Sequence, residues 1–127
     1  MIVITFGTFD LYHIGHKRIL ERASRYGDLI VGISSDELNY SKKQKYPVYN
    51  FKERKEILDS VRYVKKTFKE ESLEQKRQYI LDHKADYLVM GNDWEGKFDD
   101  LSDLCKVIYL PRTEDVSTTE VISKIKS

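Results

Sequence analysis

The ten residues from Gly7 to His16, GTFDLYHIGH, hold two histidines, two glycines, a threonine and an aspartate. They stand between an apolar run, Met1 to Phe6, and a helical pattern with Ile19, Leu20 and Ala23 on one face, which predicts a strand-to-helix turn. At such a turn the first helical N–H groups have no intrahelical acceptor and lie at the positive end of the macrodipole, so they attract anions. Gly7 and Gly15 permit close approach of backbone or phosphate. His13 and His16, three apart at a helix start, share a face and are expected to point into one pocket. The stretch reads as a phosphate cradle. A structural pair of helix-start histidines is the plain alternative. A metal centre is weaker, because Asp10 is the only nearby third ligand and no matching Cys or His cluster occurs elsewhere.

A second constellation runs from Pro111 to Thr119, PRTEDVSTT. Arg112 offers a planar fork for phosphate oxygens, and Ser117, Thr118 and Thr119 supply hydroxyls where Ser117 and Glu120 predict another helix start. Two helix starts could then grip one polyphosphate from two sides, although alone this stretch reads as a Ser-capped helix after a surface arginine. In GNDWEGK, Asp93 could accept from the exocyclic amine of a base, while Trp94 either flanks that edge or is an ordinary core or interface aromatic. Cys105 precedes the apolar Val107 to Leu110 and reads as packing. His83, late in a polar helix, reads as a surface residue near the negative end of its dipole.

These residues need elements to position them. Strands are expected over Met1–Phe6, Leu29–Ile33, part of Arg62–Phe68, Tyr87–Met90 and Val107–Leu110. Gly27 is expected to cap the first helix at its C-terminus. Asn50 and Glu53 predict a capping box opening a helix that carries Phe51, Ile57, Leu58 and Val61. Ser72 and Gln75 open another that buries Leu73, Ile80 and Leu81, and the last helix turns Val121, Ile122 and Ile125 inward. Ser34 to Tyr49 is expected as a polar connection able to cover the site. Alternating strands and helices predict an α/β fold: one Rossmann-like domain over residues 1–127, a five-stranded, mostly parallel sheet with helices on both faces. The loops after strands one, four and five then bring GTFDLYHIGH, GNDWEGK and PRTEDVSTT to one end of the sheet, where such folds bind ligands.

At 127 residues the chain can bury one real core. No apolar run approaches a membrane span or a signal peptide, and the single cysteine excludes an intramolecular disulfide, so a cytoplasmic protein is expected. The net charge of +1 argues against a general nucleic-acid binder. The charge is uneven, with ten Lys or Arg against three acids from Ser41 to Lys69, and ten acids against four bases from Glu70 to Asp103. A basic segment beside a phosphate-binding turn suits a small polyanionic substrate.

The HxGH arrangement after GTFD resembles the nucleotidyltransferase superfamily, and PRTEDVSTT resembles the RTEGIST signature of its cytidylyltransferase family, with Asp115 where the family usually has glycine. ISSDELN (33–39), KQK (43–45), ERKEILDSVRYV (53–64) and MGNDWEGKFD (90–99) extend the resemblance over the chain and point to the branch that uses glycerol 3-phosphate. By that resemblance Thr8, Phe9, His13, His16, Lys45, Asp93 and the stretch Arg112, Thr113, Ser117, Thr118 and Thr119 would contact CTP. Lys43, Arg62 and Lys76 would serve the acceptor phosphate, and His13, His16, Lys43 and Arg112 would carry the chemistry. Near Lys76 the sequence departs from the family, with Leu73 where an aromatic is expected. The resemblance implies direct in-line attack on the α-phosphorus of CTP, giving CDP-glycerol and pyrophosphate. Mg²⁺ would be carried mainly by the CTP phosphates rather than by a protein metal site. It further implies a homodimer and a product destined for teichoic-acid-type or capsular polymer. The alternatives are the same fold with another nucleotide or small phosphate acceptor, and an inactive nucleotide-binding regulatory module.

Overall fold

The computed structural model describes residues 1–111. The expected last helix, with Arg112, Thr113, Asp115, Ser117, Thr118 and Thr119 before or at its start, lies outside them. The chain runs β1 (Ile2–Gly7), α1 (Ile14–Ser24), β2 (Asp28–Ser34), α2 (Asp36–Lys43), α3 (Phe51–Asp59), β3 (Val64–Glu70), α4 (Lys76–His83), β4 (Tyr87–Gly91) and β5 (Lys106–Leu110). Short 3₁₀ turns occur at Leu73–Gln75, Asn92–Trp94 and Asp99–Leu101.

The five strands form one sheet in the order β3-β2-β1-β4-β5, and every pairing is parallel, where the sequence led us to expect a mostly parallel sheet. Near-continuous apolar runs such as VITF and LIVGI suit strands covered on both faces. Successive residues alternate between two cores. Val3, Val31, Ile33 and Val89 meet Leu20 and Ala23 of α1 and Leu58 of α3, whereas Ile4, Phe6, Leu88 and Met90 meet Ile80 of α4, Leu101 and Cys105. Gly32 sits where a Cβ would lie 2.6 Å from Phe6 and 2.7 Å from Phe68, so its missing side chain lets those rings meet edge-to-face at 5.9 Å. After β3 the chain returns past β1 to β4, so the sheet order reverses between β1 and β4. The crevice at their carboxyl ends is where a parallel sheet receives a ligand.

Several local expectations are corrected. The connection after β2 contains α2, capped by the Ser35 side chain on the Leu38 N–H at 3.0 Å. Its apolar content is thin, so periodicity did not announce it. Gly27 does not cap α1, which ends at Ser24 with Arg25 as C-cap; a Cβ at Gly27 would stand 2.4 Å from the Met1 carbonyl, so glycine is there for close approach. Leu73 is exposed in the 3₁₀ turn ahead of α4, and Leu81 is exposed because the inward face of α4 is set by Lys76 and Ile80, four apart. His83 is half-buried, stacked 4.4 Å from the Phe68 ring, with Nδ1 2.8 Å from the Tyr79 carbonyl. Cys105 is buried as expected, and burial raises its thiol pKa.

Candidate active site

The cradle is built by the two histidines themselves. His13 is the N-cap of α1, and its Nδ1 accepts the Gly15 N–H at 3.0 Å; His16, three residues on, accepts the His13 N–H on its own Nδ1 at 3.3 Å. This is a capping box in which imidazoles replace the usual hydroxyl and carboxylate. The reciprocal caps stack the rings at 3.8 Å and 21°, and Phe9 meets His16 edge-on at 5.4 Å. An imidazole that accepts on Nδ1 carries its neutral-form proton on Nε2, so each ring is a donor at its outer nitrogen. Burial, and then the adjacent His13, lowers the His16 pKa to about 3. His16 is therefore a neutral hydrogen-bond donor at neutral pH. The loop between strand and helix holds two non-glycine residues at positive φ, Phe9 at 53° and Leu11 at 49°. Backbone strain of this kind persists where surrounding contacts over-determine it.

Those contacts come from Asp10, Asn39 and Arg54. Asp10 is buried; its Oδ2 accepts the Val48 N–H at 2.6 Å, and its Oδ1 accepts the N–H groups of Tyr49 at 2.9 Å and Leu11 at 3.1 Å. One carboxylate thus ties the cradle to the segment 44–50. That strap leaves α2 through Gln44 at φ 60° and is held at its near end by Tyr46 stacked on Tyr40 at 4.7 Å. Arg54 is fully buried and donates to the carbonyls of Thr8 at 2.9 Å, Ser34 at 2.8 Å and Tyr49 at 3.0 Å, and to Asp36 Oδ1 at 2.7 Å. It knots the ends of β1 and β2 to α2 and the strap. The Thr8 hydroxyl donates to Asn39 Oδ1 at 2.8 Å, while Asn39 Nδ2 donates to Ser34 Oγ at 2.9 Å.

The result is a cleft of about 670 Å³ over the β1–β4 reversal, of a size suited to a nucleotide with a small second substrate. Thr8, Phe9 and His16 form its floor, Lys43 and Lys45 come from α2 and the strap, and Asp93 and Trp94 face them from the loop after β4. Trp94 is partly exposed and tilts against Phe98 at 5.6 Å, which makes it a cleft-edge aromatic rather than a core residue. His13, expected to point into the same pocket, is not among the residues that line this cleft; it stacks on His16, which is.

A family model described as cytidylyltransferase-like matches residues 4–124. The chain belongs to the cytidylyltransferase-like family. It is 54% identical to glycerol-3-phosphate cytidylyltransferase of Bacillus subtilis over 97% of this chain and 95% of that protein. It is 48% identical to glycerol-3-phosphate cytidylyltransferase of Staphylococcus aureus, over 94% and 90%. Among solved structures, a lipopolysaccharide core biosynthesis protein from Thermoplasma volcanium shares the fold, with a TM-score of 0.77 at 19% identity, over 90% of this chain and 98% of that one.

Two residues assigned to the acceptor by sequence stand apart from the cleft wall of this cytidylyltransferase-like domain. Arg62 is exposed ahead of β3, at the amino end of the sheet, with Nη2 donating to Tyr63 Oη at 2.9 Å. Lys76 is buried, paired with Glu70. Conversely, sequence reasoning took Asp10 only as a possible third metal ligand and passed over Arg54 and Asn39. Asp10, in GTFD, had a readable signal: an acid within the cradle itself. Arg54 had none, because its acceptors come from segments distant in sequence.

Proposed function

We propose that this chain transfers CMP from CTP to sn-glycerol 3-phosphate, giving CDP-glycerol and pyrophosphate. The observation that carries nucleotidyl transfer is the stacked His13–His16 capping box, which sets His16, a neutral donor, at a helix start in a cleft also lined by Lys43 and Lys45. The choice of CTP and glycerol 3-phosphate is supported by the near-full-length likeness to cytidylyltransferases of that name.

The acceptor phosphate is already an anion at neutral pH, so no side chain need remove its proton. Its oxygen attacks the α-phosphorus, the bond to the leaving β-phosphate oxygen breaks, and the electron pair departs with pyrophosphate. The barrier lies in bringing anions together and in stabilising charge that grows on the leaving group. The Nε2–H groups and the α1 N-terminus meet that growing charge. Lys43 and Lys45 offset repulsion between the two substrates, and Arg112 would add a bidentate clamp on the nucleotide phosphates. Asp93 would read the amine of the base. The donor is taken as its magnesium complex, with the ion on the nucleotide's own phosphates. The described residues offer no group of three or more His, Cys, Asp or Glu able to hold a metal, and the cradle's carboxylate, Asp10, already accepts three backbone N–H groups.

No helix among the described residues is long and apolar enough to cross a membrane. We place the reaction in the cytoplasm, in a homodimer whose product feeds a teichoic-acid-type or capsular polymer. The test is a panel of nucleoside triphosphates against glycerol 3-phosphate, phosphocholine and phosphoethanolamine, scored by pyrophosphate release with and without Mg²⁺. CTP with glycerol 3-phosphate should be the best pair by kcat/KM. A preference for ATP, or a tenfold preference for another acceptor, equal to about 1.4 kcal/mol of transition-state discrimination, would sink the assignment.

A further inference from the structure

Beside Phe6, which lines the cleft, lies a buried charged pair that the cradle does not account for. Glu70 closes β3, paired in register with Ser34, while Gly7 pairs with Ile33; the carboxylate therefore belongs at the level of the cleft floor. The Ser35 N–H donates to the Glu70 carbonyl at 2.8 Å, which fixes the backbone there. The side chain is buried, and its Oε2 accepts from the Lys76 ammonium, itself only 7% exposed. That ammonium stands 4.7 Å from the Phe6 ring centroid and 5.5 Å from that of Phe98, and Phe6 lines the cleft.

Lys42, exposed at the end of α2, is within electrostatic reach of this pair. Desolvation lowers its pKa, Glu70 raises it, and Lys76 and Lys43 lower it again. Lys43, next along α2, reaches the cleft. Three ammonium groups and one carboxylate leave a local charge of about +2, a match for the dianion of a phosphate monoester. A lysine ammonium is a point charge on a flexible stem, and ordering that stem on binding would cost affinity. Anchoring one of its donors on a buried carboxylate orders it in advance and leaves the others for an incoming oxygen.

We propose that Glu70 is the positioning residue of the acceptor half of the site, holding Lys76 where the acceptor phosphate enters. This rests on the reading of Lys76 as an acceptor ligand and extends it to a residue with no contact to substrate of its own. A purely structural Glu70 would affect both substrates alike; a positioning Glu70 affects the acceptor alone and acts only through Lys76.

The experiment is steady-state kinetics on purified full chains, varying glycerol 3-phosphate at saturating CTP and the reverse. The variants are Glu70→Gln, Glu70→Asp, Lys76→Met and the double Glu70→Gln/Lys76→Met. Glu70→Gln is expected to raise the acceptor KM on the order of tenfold, with the CTP KM changed less than about twofold. Glu70→Asp keeps the charge at shorter reach and should fall between. In the Lys76→Met background, Glu70→Gln should raise the acceptor KM no further. The double variant removes both charges of a buried pair and folds even if Glu70→Gln, which strands an ammonium, does not. In that case Glu70→Asp and the double variant decide. An unchanged acceptor KM in the Glu70 variants, a parallel rise for CTP, or additive effects in the double variant overturns the role of Glu70. If Lys76→Met alone leaves the acceptor KM unchanged, the assignment of Lys76 fails instead, and the proposal falls with it.

Discussion

His16 combines two tasks that rarely share a side chain: it caps its own helix and faces the cleft. Because Nδ1 is committed to the His13 N–H, protonating the ring would break the cap as well as place a charge beside His13. The folded pKa of about 3 lies below the unfolded value near 6.5. Between those limits the unfolded chain binds more protons, so the contribution of this group to stability is complete above about pH 6.5 and is lost as pH falls toward about 3. The slope from one such site cannot exceed about 1.4 kcal/mol per pH unit. His16→Ala is therefore expected to cost about 1 kcal/mol through the lost cap near neutral pH. Its stability should fall less steeply than that of the parent in urea unfolding at about pH 7.5, 5.5 and 4.5. Its kcat should fall on the order of 10²- to 10³-fold. Parallel pH profiles would mean that burial does not hold the ring neutral, and near-normal turnover would remove it from the mechanism.

At the scale of elements, one carboxylate binds two successive N–H groups of the strap 44–50. Asp10 accepts the Val48 and Tyr49 N–H groups, which sets where Lys45 and Tyr46 overlook the cleft. In Asp10→Asn, one oxygen becomes an amide that faces a backbone N–H, leaving at least one buried donor unsatisfied at about 1–3 kcal/mol. The strap should loosen while the sheet stays intact. The expected signature is faster amide hydrogen exchange at Val48 and Tyr49, with a raised CTP KM. Unchanged exchange at those two amides would show that the strap is held by the Tyr40–Tyr46 stack instead. The same elements show what a sequence can convey. The closeness of His13 and His16 at a helix start was readable because they lie three residues apart, although their mutual capping was not foreseen, and the Asn50–Glu53 capping box was found because its partners are equally local. The Arg54 knot was not readable, since its side chain joins Thr8, Ser34, Asp36 and Tyr49, which only the folded sheet brings together. The resemblance assigned Lys76 to the acceptor phosphate, but its buried pairing with Glu70 was not readable, because nothing local in the sequence shows the two facing each other.

Across the whole molecule, the order β3-β2-β1-β4-β5 turns an uneven sequence into an uneven surface. The basic stretch 41–69 supplies the end of α2, the strap, α3 and most of β3, while the acidic stretch 70–103 supplies α4, which packs against Phe6 and Phe68, and the loops around β4 on the far side of β1. The cleft lies on the seam, with Lys43 and Lys45 on one wall and Asp93 on the other. On the proposed function this asymmetry would draw phosphates to the α2 side and leave the uncharged base to the β4 side, before any specific contact forms. Net charge alone, at +1, predicts almost no attraction for a polyanion. The local field predicts a clear one, screened over a Debye length of about 10 Å at 0.1 M salt. Raising salt from about 20 to about 300 mM should therefore raise the KM for both CTP and glycerol 3-phosphate several-fold, while the inhibition constant of uncharged cytidine stays flat. If cytidine weakens in step with the phosphorylated substrates, salt is acting on the fold rather than on the field. If none of the three responds, the charge asymmetry has no part in orienting the substrates, and binding rests on short-range contacts alone.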